Sequence, residues 1–218
     1  MMRLHEGDAM SREREITRVL DILFEHYAHE CHTDEPFRVL VSTIISQRTT
    51  DANMLVASKR LLHEYPDAES LAMADIGRVA ELIKPSGVFR IKAERLVGCA
   101  RILVAKHGGD VPSTLDELLA LPGVGRKTAN CVLSYGFGED AVAVDTHVHR
   151  ISNRLGITHS NSVEKTEKQI KSHVPRRYWR CYNIVFVRFG QQVCRPTKPR
   201  CNVCPVAHMC PSSKLLSG

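Results

Sequence analysis

Residues 121–130 read LPGVGRKTAN, gathering two glycines, two cations and a threonine at one turn. A nucleotide-binding P-loop, G-x-x-x-x-G-K-[ST], does not fit: Gly125 is followed by Arg126, Lys127 comes one place late, and no glycine stands at the required upstream position. The turn reads instead as Pro-Gly-Val-Gly between two helices. Gly123 and Gly125 leave backbone N–H groups uncovered beside the positive end of the following helix. Such a hairpin holds a nucleic-acid phosphate and reads no base. A second group lies near the C-terminus, where Cys194, Cys201, Cys204 and Cys210 form C-x6-C-x2-C-x5-C. Four thiolates so close in sequence fit tetrahedral sulfur coordination, by zinc or within an iron–sulfur cluster. Between the first two runs RPTKPR, where Arg195, Lys198 and Arg200 stand among prolines on a loop tied at both ends. That makes a stiff cationic finger suited to DNA phosphates.

Helices must position these groups. Ile16, Val19, Leu20, Leu23, Phe24 and Tyr27 step by three and four, with Ser11 as the candidate cap. FRVLVSTIIS at 37–46 is apolar nearly all round, as in a helix central to a bundle. Further helices are expected over 51–65, 75–84, from about 91 to 107, and from Thr114, which has capping-box spacing to Glu117. Beyond the glycine turn, KTANCVLSYGF resumes helical character, and Asp145 or Thr146 caps another helix ending at Gly156. Segments near 163–173 and 176–190 complete the set. VAV at 142–144 is strand-like and too short to build a sheet.

The chain has 218 residues, 43% of them hydrophobic, and a formal charge of +6, which favours an anionic partner, nucleic acid foremost. No apolar run approaches the ~20 residues a bilayer requires, and the polar start MMRLHEGDAM lacks a signal-peptide core. The expectation is a cytoplasmic monomer, nucleoid-associated in a prokaryote, without any membrane association. Eight cysteines in that setting argue against disulfides. Cys31, Cys99, Cys131 and Cys181 then read as ordinary buried thiols.

The hairpin, the lysine just after it and the V-D-T-H-V-x-R segment eighteen residues past Lys127 together resemble the endonuclease III family, DNA glycosylases with an associated lyase activity. The resemblance runs from about Phe37 to Cys210. It implies Lys127 as the nucleophile, Asp145 as the helix-capping catalytic aspartate, and the four tail cysteines as ligands of a 4Fe-4S cluster, chosen over zinc. Cleaving an N-glycosidic bond builds positive charge at the anomeric carbon, which a carboxylate stabilises and an amine attacks. A Schiff base then permits elimination of the 3′ phosphate, which water as nucleophile could not. Free lysine has a pKa near 10.4, so the amine needs a desolvated, cation-rich site such as one beside Arg126.

The family also plugs the duplex with a glutamine three residues before an aspartate. Counting back from Asp51 gives Arg48, with Gln47 as its neighbour; either could be the plug, and Arg48 is the better match. Val88 falls on a second wedge that is usually leucine, and His149 stands where an apolar or aromatic residue is usual.

The resemblance implies an all-α, two-lobed helix-hairpin-helix glycosylase fold. A six-helix bundle over 29–138 would end in the hairpin, and residues 1–28 with 139–218 would form a discontinuous iron–sulfur lobe. Double-stranded DNA with damaged pyrimidines or abasic sites would lie between them, Lys127 facing Asp145. Two other readings compete: a monofunctional mismatch glycosylase using activated water, against which Lys127 argues, and a non-catalytic DNA-binding or redox-sensing module.

Overall fold

The apolar stripes of the sequence become the buried faces of helices in the computed structural model, which describes residues 6–28 and 31–213. The first residues of the polar N-terminal segment thus lie outside the described residues. Among those described there are helices and no strand. Close packing divides the chain into two units, residues 33–139 and residues 1–32 with 140–218.

The continuous unit holds α2 (Pro36–Ser46), α3 (Asp51–Glu64), α4 (Ala68–Ala72), α5 (Ile76–Leu82), α6 (Phe89–His107), α7 (Leu115–Leu119) and α8 (Arg126–Cys131). Helix α2 starts where the Glu35 carboxylate accepts the Phe37 and Arg38 amides at 2.9 Å each and Pro36 presets the first turn. It buries Phe37, Val39, Leu40, Val41, Ile44 and Ile45 and packs against α3, α6 and α8, as its all-round apolarity predicts. Helix α4 escapes the sequence reading because its capping box pairs Asp67 with Ser70, where the usual signal is Glu or Gln. Gly108, left-handed at φ 63°, ends α6. Helix α8 continues as a π-helical turn over Val132–Gly136.

The discontinuous unit holds α1 (Glu6–Tyr27), α9 (Thr146–Arg154), α10 (Val163–His173) and α11 (Trp179–Gln192). Helix α1 begins before Ser11, so Ser11 lies inside the helix and does not cap it. Ile16, Val19, Leu20 and Leu23 are buried in one core with Ile151, Tyr182, Phe186 and Phe189. The VAV scrap runs as buried irregular chain in which Asn183 Nδ2 donates to Ala143 O at 3.1 Å. Gly190 lets α11 press onto α9, since a Cβ there would stand 2.4 Å from His147 Nδ1.

Cys31 and Cys181 are not buried thiols. They form a disulfide with Cα atoms 5.7 Å apart, across 150 residues of sequence. That separation is why sequence missed it: only the packing of α1 against α11 brings the two together. Cys99 and Cys131 are buried and take part in no disulfide, as expected.

Candidate functional site

In the glycine turn, Gly123 takes φ 78°, a left-handed value that costs glycine nothing. Gly125 is the N-cap of α8, offers no side chain to its amides, and faces open space where a Cβ would meet nothing within 4 Å. Packing therefore does not require glycine at Gly125. Arg126 is exposed and Lys127 half-buried in the first turn of α8.

Asp145, and not Thr146, caps α9, with Oδ1 accepting the Val148 amide at 2.8 Å. That bond fixes the carboxylate to the helix. Helix α9 is itself pinned: Val148 and Ile151 are fully buried, and Ser152 Oγ pairs with Tyr182 Oη at 3.1 Å inside the core. At its far end Arg154 donates to Arg195 O at 2.7 Å and Pro196 O at 2.8 Å, while Arg150 donates to Cys194 O at 3.0 Å. One helix thus carries Asp145 at its head and braces the cysteine-rich loop at its tail. His149 pairs with Thr166 Oγ1 at 2.6 Å, joining α9 to α10.

Cys194, Cys201, Cys204 and Cys210 line one recess, with Arg154 and Val193 among its walls. Burial pushes the Cys204 thiol up to about 11 and raises Cys210 as well. Among the described residues no three His, Cys, Asp or Glu converge enough to hold a single metal ion. Arg195, Lys198 and Arg200 are exposed beside the recess, with Lys198 at φ 52°.

Gln47 and Arg48 part company. Gln47 Nε2 donates to Gly123 O at 2.9 Å, tying the turn after α2 to the glycine hairpin. Arg48 lies at the tip of the same turn at φ 54°. Val88 is 51% exposed at φ 48°, directly before α6. A left-handed conformation costs a non-glycine residue roughly 1–2 kcal/mol, most for a β-branched one. Both strained tips are polar-tied at their bases by a residue that sequence reading passed over. Lys92, 2% exposed, donates from Nζ to Ile45 O and Ser86 O at 2.8 Å each. Its signal was available: Lys92 falls on the buried stripe of α6 with Leu96, Cys99 and Leu103.

Known proteins resemble this chain along most of its length. Residues 41–176 match the family model described as HhH-GPD superfamily base excision DNA repair protein. The endonuclease III of Thermotoga maritima is 51% identical over 176 residues, spanning 81% of this chain and 83% of that protein. That of a Synechocystis strain is 40% identical over 94% of this chain and 95% of its own length. A solved structure described as a trapped endonuclease III–DNA covalent intermediate superposes with a TM-score of 0.86 at 33% identity, covering 94% of this chain and 99% of that one.

Proposed function

Because this chain belongs to the HhH-GPD superfamily of base excision DNA repair proteins, we propose a specific division of labour among its residues. The chain is a DNA glycosylase and abasic-site lyase of the endonuclease III kind. Lys127 is the nucleophile and Asp145 the catalytic carboxylate. Neutral Nζ of Lys127 bonds to C1′ of the damaged nucleotide as the glycosidic bond breaks, and the base departs with the electron pair and a proton. The Asp145 carboxylate stabilises the positive charge that grows on the sugar meanwhile. Loss of O4′ from C1′ leaves an imine; removal of a C2′ proton then expels the 3′ phosphate. Water finally releases Lys127. What carries this reading is the setting of the two groups: Lys127 half-buried in the first turn of α8, behind an open glycine turn, and Asp145 locked as the cap of α9.

The remaining groups bind. The amides of the Gly123–Gly125 turn, with Arg126, take backbone phosphate, and Arg195, Lys198 and Arg200 take further phosphates on duplex DNA. Gln47 is held by its bond to Gly123, which leaves Arg48 to fill the gap left by the extruded base, and Val88 wedges the opposite strand. Damaged pyrimidines such as thymine glycol are the proposed substrates, since a saturated ring stacks poorly and costs less to extrude. The active species is a monomer.

The four tail cysteines would hold a 4Fe-4S cluster. Their donor set is all thiolate and all four line one recess, which an iron–sulfur cluster suits. When bound, it would supply structural cross-linking of the loop, with no part in bond cleavage. Arg150 and Arg154, bonded to Cys194 O, Arg195 O and Pro196 O, orient the loop either way.

Borohydride trapping on a duplex containing one thymine glycol tests the whole scheme. Hydride reduces the imine and fixes protein to DNA, so a covalent adduct together with strand cleavage is expected. Base release without an adduct would mean activated water, and neither product would mean a binding module.

A further inference from the structure

Lys92 has no place in the chemistry above, yet it is among the most costly side chains to bury. Lys92 is 2% exposed as a residue, and burial lowers its ammonium's pKa below the ordinary lysine value. A methionine would fill the same volume without that cost. What lysine adds is donation in two directions, to Ile45 O and to Ser86 O at 2.8 Å each. Ile45 is the penultimate residue of α2, where carbonyls lack helical partners and the helix dipole is negative. Ser86 closes the short 3-10 turn before Gly87 and Val88, and its own hydroxyl donates to Ile83 O at 2.8 Å. Both carbonyls stand at the bases of the strained turns, one before Arg48 at φ 54° and one before Val88 at φ 48°. Gln47's bond to Gly123 O ties the first of these turns to the hairpin as well.

We propose that Lys92 is a positioning residue for base extrusion: its ammonium sets the spacing between the Arg48 and Val88 turns, so that plug and wedge enter the duplex as one rigid unit. The inference rests on the reading of Arg48 and Val88 as inserting residues. It places specificity for a distorted duplex partly in a residue that touches no DNA. A loosened pair of tips would still bind phosphate and still form the imine, but would open a stacked pair poorly.

The test is a mutant cycle joining Lys92→Met with the double variant Arg48→Ala/Val88→Ala. Single-turnover base release is read on a duplex with one thymine glycol, with 2-aminopurine beside the lesion reporting unstacking. Strand cleavage of a single-stranded abasic oligonucleotide, which needs no base pair opened, is read alongside. Lys92→Met should slow base release and unstacking by about 10- to 100-fold while altering single-stranded cleavage by less than about threefold. In the Arg48→Ala/Val88→Ala background the same change should add little, because its effect runs through the tips already removed. Equal losses on both substrates, no loss on the duplex, or a full additive loss in the double-variant background would each overturn the positioning role. If instead Arg48→Ala/Val88→Ala alone left duplex unstacking untouched, the insertion reading itself would fall, and this inference with it. Lys92→Gln, a shorter donor, serves the same cycle if Lys92→Met does not fold.

Discussion

Lys127 and Asp145 are proposed to act on one sugar, so their variants should fail in different ways. Lys127→Ala removes the proposed nucleophile, so the borohydride adduct should vanish while duplex affinity persists in a gel-shift measurement. A wild-type adduct yield from Lys127→Ala would place the nucleophile elsewhere. Asp145→Asn keeps an oxygen for the Val148 amide, so α9 stays capped. The melting temperature should therefore hold while base release slows by on the order of 10²–10³-fold, the usual loss when one electrostatic partner of a transition state is removed. If Asp145→Asn unfolds the protein, the carboxylate is a cap and nothing more. At this scale the sequence points to residues whose type has a chemical meaning in its setting, such as a lysine behind Gly-Val-Gly. It was silent on Lys92, whose meaning comes from two carbonyls 41 residues apart in the chain.

Among the elements, α9 and the loop it braces carry the prediction. Arg195, Lys198 and Arg200 project from a segment held by Arg150 and Arg154. Neutralising all three should lower the slope of log affinity against log salt by about 0.9 for each phosphate of the duplex that no longer meets a cation. An unchanged slope in a salt titration would show that this loop faces away from DNA. Most helices were legible, because stripes such as Ile16, Val19, Leu20 and Leu23 recur at helical period and bury as written. The ends were less so. Ser11 looks like a cap yet sits within α1, since a favourable capping residue does not stop a helix that begins earlier. Helix α4, five residues long, is too short for any period to show.

For the whole molecule the decisive measurement is metal content. Protein purified without oxygen should be brown and carry iron and acid-labile sulfide at about four each per chain. Stoichiometric zinc without iron would overturn the cluster. Burial pushes the free Cys204 thiol up to about 11, so ligation must also release protons. The disulfide lay beyond sequence reading because the expectation of a cytoplasmic setting argued against it and 150 residues separate its ends. It also has a topological meaning. Residues 33–139 lie wholly between Cys31 and Cys181, so the unit that carries the hairpin and both strained tips is part of a covalent ring. A protease cutting once inside that ring opens it without freeing a fragment. Limited tryptic digestion that nicks, for example, after the exposed Lys106 in the last turn of α6 should leave one band on a gel run without reductant and two when thiol is added.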